Sequence, residues 1–386
     1  MLSISQECRK LNSWCGKKII VINSSSTFEY RVNLFRNVMA EQGAEVFVIG
    51  SDWDHIKKNK RFAAEDNLVY IPTLPYYKNI SLSRIRSHIE FSKDAFQLIK
   101  DRECDLLYLV IPPNSQSQIA KKYKEKHPNT KIVMDVIDLW PESFPSLYSE
   151  KFPFTLWAAE RNKNLKYADV VLSECNLYHE YLAPYCGKEK LKTVYWAHAK
   201  ETDEEAELIE ASIVNAHFSD KFWMLGYLGS VNNIIDIERI CDVARILQKT
   251  RPVKIQIIGT GERIKEFCDS LCDIGVEVVN YGAIYDLNKK LQILAQCHFG
   301  INIMKPTVRV GMSMKAVDYF QMGIPVLNGI SGDMEYIVRE NACGVNVTEL
   351  DSNWVYDIQM KKAARLFYKR NCSNEAYRKA ILRIIG

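Results

Sequence analysis

Residues 18–50 read KIIVINSSSTFEYRVNLFRNVMAEQGAEVFVIG, and their pattern decides the fold. Lys18 to Asn23 is a short apolar run of strand length, followed by the polar stretch Ser24 to Thr27. Val32, Leu34, Phe35, Val38 and Met39 then fall on one side of a helix, which Gly43 ends as a cap. Glu45 to Gly50 is apolar again. A strand, a helix and a second strand in that order predict a β-α-β unit, and such a crossover joins parallel strands.

The same alternation continues outward. Leu106 to Ile111, Ile132 to Val136, Val170 to Ser173 and Lys192 to Trp196 read as further strands, with helical patterns between them. The polar, acidic segment Lys200 to Glu205 marks a domain boundary. Beyond it the alternation restarts. Strands are expected at Phe222–Leu228, Val253–Ile258, Val276–Asn280, Phe299–Ile303 and Ile324–Leu327. Helices are expected at Ile235–Lys249, 287–297 and Lys315–Met322, and a basic helical tail runs from Trp354 to Ile385. The reading is an α/β chain of two doubly wound domains. Residues 1–16 form an N-terminal extension, 17–200 the first domain and 201–350 the second. Residues 351–386 form C-terminal helices that pack back toward the first domain.

Composition bounds the class. The chain has 386 residues, 51 basic and 47 acidic, for a net charge of +4, with 47% hydrophobic residues. That is ordinary globular usage at a length of two domains. No apolar run approaches the ~20 residues of a membrane helix. The first 18 residues lack the apolar core of a secretory signal, and the 11 cysteines are scattered without a CxxC pair. Cys268 and Cys272 are at helical spacing, which favours packing over metal. A cytoplasmic protein with reduced thiols is expected. The first 200 residues carry 29 basic and 23 acidic side chains, a local excess of six that suits approach to an anionic surface. Basic residues are not interleaved with stacking aromatics, so nucleic acid is not an expected partner. His198 and the other histidines show no ligand spacing, and no metal site is assigned.

In such sheets ligands sit beyond the carboxyl ends of the strands. In the second half the polar or glycine-bearing strand exits are Gly229-Ser230, Gly259-Thr-Gly261, Tyr281-Gly282-Ala283 and Lys305-Pro306. Glycine there lets a backbone approach a phosphate, and a following helix N-terminus favours an anion. Neither a complete dinucleotide fingerprint nor a GxxxxGK[ST] loop is present. The segment 304–325, MKPTVRVGMSMKAVDYFQMGIP, adds Lys305, Arg309 and Lys315, with Asp318 one helical turn after Lys315. The cations suit a diphosphate and the carboxylate suits ribose hydroxyls. An i,i+3 surface ion pair is the plainer alternative for Lys315 and Asp318.

The order of glycine loops, then Lys315-x-x-Asp318-Tyr319 and Gly323-x-Pro325, resembles the donor domain of family 4 glycosyltransferases of the GT-B fold. Asp138-Leu-Trp-Pro-Glu-Ser143 and Ala168-Asp169-Val-Val-Leu-Ser173 resemble segments of the members that build bacterial surface polysaccharides such as capsule or O-antigen. The resemblance implies two Rossmann-like domains facing a cleft and a retaining, metal-independent transfer of a sugar from a nucleotide-sugar. The donor is expected to be uridine- rather than guanosine-linked, and the acceptor a lipid-linked glycan at the inner face of the membrane. Asp318 matches the acidic residue that holds the donor ribose. Lys315 matches the lysine before it. Gly229 and Ser230 match the loop under the diphosphate, with Gly259 and Gly261 at the next exit, and Gly282, Ala283 and Ile284 match the stretch that reads the base. Lys305 and Arg309 are the expected cations for the leaving diphosphate, in the role a metal takes elsewhere. Two departures stand out: Val310 replaces the family's first glutamate, and Val231 to Asp236 carries neither the Arg nor the Lys usual after the first loop.

By the same resemblance the first domain takes the acceptor, with Ser24 to Ser26 and Asp138 to Glu142 at its strand exits. Asp138 is the candidate contact to the attacking hydroxyl, or else a helix cap. Glu142 reads as lining or capping and Trp140 as core. Pro75 to Lys78 and Ser81 to Lys100 combine Arg84, Arg86, Lys93 and Lys100 with Ile85, Ile89, Phe91, Phe96 and Leu98. They read as an amphipathic helix on the sheet, or as a patch that rests on anionic lipid. Two other functions stay open at this point: a non-catalytic glycosyltransferase-like binding or partner subunit, and a sugar-nucleotide 2-epimerase. The sugar, the linkage and the oligomeric state are not legible.

Overall fold

The computed structural model describes residues 13–62, 67–78, 81–143, 151–152, 154–197, 200–216, 218, 221–351 and 354–386. His198 and most of the N-terminal extension lie outside them. The chain divides into two compact units, one of residues up to Tyr195 together with Tyr377–Gly386, the other Trp196–Ala376.

In chain order the first unit contains β1 (Lys18–Asn23), α1 (Glu29–Glu41), β2 (Glu45–Ser51), β3 (Trp53–Asp54), β4 (Asn59–Lys60) and β5 (Leu68–Ile71). There follow α2 (Leu82–Ile99), β6 (Leu106–Ile111), α3 (Ser117–Lys126), β7 (Lys131–Val136), α4 (Phe154–Leu165), β8 (Val170–Ser173), α5 (Leu177–Cys186) and β9 (Leu191–Thr193). Its main sheet has the order β5-β2-β1-β6-β7-β8-β9, and the pairings are parallel. All of β6 and all but the first residue of β1 and β7 are buried, as parallel strands covered on both faces must be. Tyr377 of the C-terminal stretch is buried here with its ring 5.4 Å from the Arg31 guanidinium. Arg31 on α1, itself buried, makes a two-pronged ion pair with buried Asp135 of β7 at 2.6 and 3.0 Å. The pair is closed by further bonds from Arg31 to the Val194 carbonyl and from the Tyr108 hydroxyl to Asp135.

The second unit holds α6 (Asp203–Val214), β10 (Trp223–Leu228), α7 (Ile237–Gln248), β11 (Val253–Ile258), α8 (Ile264–Asp273), β12 (Glu277–Asn280) and α9 (Leu287–Leu294). It continues with β13 (Phe299–Asn302), α10 (Met314–Gln321), β14 (Val326–Asn328), α11 (Asp333–Asn341), β15 (Gly344–Asn346) and α12 (Gln359–Asn371). The last helix, α13 (Asn374–Ile385), leads into the C-terminal stretch that belongs to the first unit. The order β12-β11-β10-β13-β14-β15 is again parallel. Its strand order reverses between β10 and β13, and that of the first sheet between β1 and β6, so each unit has one switch point. Short polar side chains start the helices. Thr202 and Glu205 form a reciprocal capping box on α6, and Asp236, Asp286 and Ser313 cap α7, α9 and α10.

Several expectations differ from the observed elements: the helix expected at 287–297 ends at Leu294, and the strand expected at Ile324–Leu327 is Val326–Asn328. The strand expected at Lys192–Trp196 is only Leu191–Thr193. The tail is not helical from Trp354. Trp354 and Tyr356 instead pack their rings on Phe299 of β13, with centroids 5.3 Å apart in both cases. The helix begins at Gln359 and restarts at Asn374, where the Ser373 hydroxyl accepts from the Ala376 amide. Among the described residues no helix is long and apolar enough to cross a membrane.

Candidate functional site

In the second unit the switch point is built by α10 and the exit of β10. Gly229 leaves β10 with φ +97, a conformation that favours glycine. A Cβ there would meet the Lys315 stem at 3.4 Å, so Lys315 of α10 lies across Gly229. The Lys315 ammonium donates to the Tyr227 hydroxyl at 2.6 Å and sits 4.0 Å from that ring's centroid. Tyr227 in turn donates to the Ser230 carbonyl at 3.0 Å. Burial lowers the Lys315 ammonium from its ordinary range to about 7. Asp318, one turn later, is half-buried and pairs with Lys290 of α9 at 3.3 Å. The two side chains that read as a possible ion pair thus have separate partners. Tyr319, between them and the sheet, donates to the Gly226 carbonyl and accepts from the Leu228 amide, which ties α10 to β10. Its ring occupies the space a side chain at Gly300 would need, 2.5 Å away.

The start of α10 is fixed from below. Ser313 caps it through the Ala316 amide and donates to Asn302 at 2.6 Å. The Asn302 amide donates to Asn328, and the Asn328 amide to Asn346. These three asparagines end β13, β14 and β15 in register and are almost wholly buried. Each is one rung of a ladder that leads to the helix carrying Lys315 and Asp318.

The other expected residues fall as follows. Gly259 and Gly261 have a packing reason of their own, because Cβ atoms there would meet the Gly229 carbonyl at 2.1 Å and the Val231 carbonyl at 2.4 Å. They let the β11 exit lie against the β10 exit. Gly282 has φ +71 and open space around it, and its amide donates to Asn280. Ala283 is exposed and Ile284 half-buried beside it, next to the exposed rings of Tyr281 and Tyr285. Lys305 lines a cavity of about 150 Å³ with Arg239, Val310, Asn328 and Asn346, beyond the ends of β13 to β15. Arg309 is half-buried on the same segment. Tyr227 and Lys290 had no signal in the sequence: one looks like an ordinary strand residue and the other like one of two surface lysines.

In the first unit a pocket of about 320 Å³ opens at the switch point, lined by Ser24, Ser25, Thr27, His55, Arg84, His88, Asp138 and Trp140 among others. The Asp138 carboxylate accepts from the Ser143 hydroxyl at 2.8 Å. Burial raises it above the usual carboxylate range, against the opposing Ser143 hydrogen bond and Arg84 charge. Glu174, just past β8, accepts from the Tyr178 hydroxyl at 3.4 Å. Burial, then the Asp138 charge, push its carboxyl up to about 8. Its place directly after a strand is the one sequence sign it offered. His55 is bracketed by the Ser26 and Thr27 hydroxyls and is pushed down to about 4 by burial and by Arg84 and Lys58.

Arg84 corrects the reading of α2. It does not face outward with the other cations but is buried, its guanidinium 4.0 Å from the Trp140 ring centroid and 5.3 Å from that of Tyr76. Trp140 therefore lines the pocket as a platform for Arg84. Glu142 is held by two bonds from the wholly buried Arg161, a structural pair.

No protein-family model matches this chain, and no curated protein matches it. Solved structures do. Sucrose-phosphate synthase from Thermosynechococcus elongatus superposes with a TM-score of 0.67 at 12% identity, over 95% of this chain and 98% of that one. The lipopolysaccharide outer core galactosyltransferase WaaB, in its apo form, gives 0.62 at 16% identity over 95% and 99%. HepE of Anabaena, in complex with UDP and glucose, gives 0.60 at 14% over 95% and 98%. The two parallel sheets and these likenesses agree: the chain has the GT-B fold of glycosyltransferases, with two Rossmann-like domains.

Proposed function

We propose that this protein is a retaining, metal-independent glycosyltransferase that moves a sugar from a UDP-sugar to a lipid-linked glycan in surface polysaccharide biosynthesis, at the inner face of the membrane. The observation that carries the donor half is the placement of Lys315 across Gly229, with Asp318 one turn further along the same helix. A positive group over a glycine turn suits a diphosphate, and a half-buried carboxylate suits ribose hydroxyls. Lys315 meets the diphosphate, with Lys305 and Arg309 supplying further charge as the nucleotide leaves. The open backbone at Gly282 to Ile284 receives the base. The uridine assignment draws on the UDP held by HepE, and the lipid-linked acceptor on the likeness to WaaB.

The acceptor half rests on the pocket of the first unit. Its Asp138 carboxyl is the group placed to accept a proton from a sugar hydroxyl, and Arg84 supplies positive charge beside it. The test is turnover. Purified protein is incubated with UDP-glucose, UDP-galactose and UDP-N-acetylglucosamine, with GDP-mannose as the comparison, and released nucleoside diphosphate is measured. Release from a UDP-sugar that Asp318→Ala abolishes is the expected outcome. No release above background from any donor would favour a binding subunit over an enzyme.

A further inference from the structure

The first unit has a second cavity besides the pocket of Asp138. It is a groove of about 600 Å³ between α2, α3 and α4, within the usual range of small-molecule sites. Its walls are mainly apolar, with Leu82, Ile85 and Ile89 from α2, Ile119 from α3, and Leu156 and Trp157 from α4, and with Glu160 of α4 the one carboxylate among its lining residues. Leu82, Ile89 and Leu156 are 82%, 40% and 61% exposed, so apolar surface faces solvent where a monomer would ordinarily cover it. Lys93 and Lys122 stand at its rim, Lys122 above the Phe96 ring at 5.5 Å.

The groove and the pocket of Asp138 share a wall. His88 lines both. It is buried, its Nε2 receives Arg84 at 3.4 Å, and its Nδ1 has no hydrogen-bond partner. A buried nitrogen without a partner is costly unless a ligand completes it. An apolar groove with two lysines at its rim, backed by a buried histidine that also lines a polar pocket beside Arg84, has the polarity profile of an amphiphile with an anionic head.

We propose that this groove holds a single hydrocarbon chain of the acceptor, its anionic head turned past His88 toward Arg84 and Asp138. The inference rests on the acceptor reading above and deepens it: the lipid is bound by this chain one molecule at a time, in a groove, rather than only met at a bilayer surface. It also explains why α2 carries the inward polar residues Arg84 and His88 as well as outward apolar residues. Arg84 and His88 face the head, while Leu82, Ile85 and Ile89 face the tail.

The probe is farnesyl phosphate, kept below its aggregation concentration, with binding read from the fluorescence of the tryptophans, Trp157 among them, and confirmed by equilibrium dialysis. One saturable site per chain is expected, weakened at least tenfold by Ile89→Glu and by Leu156→Glu. Both substitutions are at exposed positions, so the fold should persist, and unchanged UDP binding checks that it does. Inorganic phosphate alone should not reproduce the signal. Absence of saturable binding, equal affinity in the variants, or binding to anionic vesicles alone would overturn the groove assignment. The two readings fail separately. Groove binding without any donor turnover would remove the transferase and leave a lipid site, whereas turnover with no farnesyl phosphate binding would remove the groove and leave the transferase.

Discussion

The Lys315 ammonium and the Tyr227 hydroxyl lie 2.6 Å apart, with the lysine stem crossing Gly229. Burial brings this ammonium to about 7, well below its ordinary 10.5. A bound diphosphate would draw the proton back, since an opposite charge favours the charged form. UDP-sugar binding should therefore take up a proton above pH 7. A UDP-sugar suits the experiment because its diphosphate does not titrate near neutrality. Its affinity should fall by up to about tenfold per pH unit between pH 7 and 9, the limit for one required proton. Calorimetry in buffers of different ionisation enthalpy checks the uptake, and Lys315→Met should flatten the profile while weakening binding.

The asparagine ladder predicts a coupling between remote strand ends and the donor site. Asn328→Leu leaves the Asn302 amide and the Asn346 carbonyl oxygen unsatisfied in the interior. Each such loss costs about 1–3 kcal/mol. Urea unfolding should show a loss of unfolding free energy of that order with a lower midpoint, and UDP affinity should drop although no hydrogen bond joins Asn328 to Lys315 or Asp318 among the described residues.

Glu174 predicts a stability signature in the first unit. Its folded value of about 8 lies above the ordinary 4.5, so the native state retains a proton that the unfolded chain releases. The contribution to stability is full below about pH 4.5 and is lost as pH rises toward 8. Glu174→Gln removes the group. The melting temperature of the variant minus that of the parent should rise between pH 5 and 8 and level off above 8. A difference independent of pH would contradict the assignment.

Much of the fold was legible because parallel strands buried on both faces leave short continuous apolar runs. The stretch from Lys18 to Gly50 became β1, α1 and β2, and the glycine at each β10 and β11 exit lies at a turn. Periodicity cannot show which way a charged residue on an amphipathic helix points when a polar pocket lies beneath. Arg84 therefore reads in sequence as one of the surface cations, although Trp140 and Tyr76 hold it inward. Tyr227 and Lys290 acquire their roles from Lys315 and Asp318, far along the chain, and His88 and Glu174 owe theirs to the burial that the tertiary fold imposes. The irregular segment before α12 escaped for a related reason: Trp354 and Tyr356 are claimed by an aromatic cluster across the sheet.

On the proposed reading, the glycine turn, Lys315 and Asp318 together bind a nucleoside diphosphate. Thermal unfolding in the presence of UDP, GDP and ADP tests it most directly. UDP at 100 times its Kd should stabilise the protein by about 2.7 kcal/mol, and Asp318→Ala should remove that stabilisation while leaving the melting temperature without ligand nearly unchanged. Stabilisation by none of the three nucleotides, or an equal shift in the Asp318→Ala protein, would contradict the account.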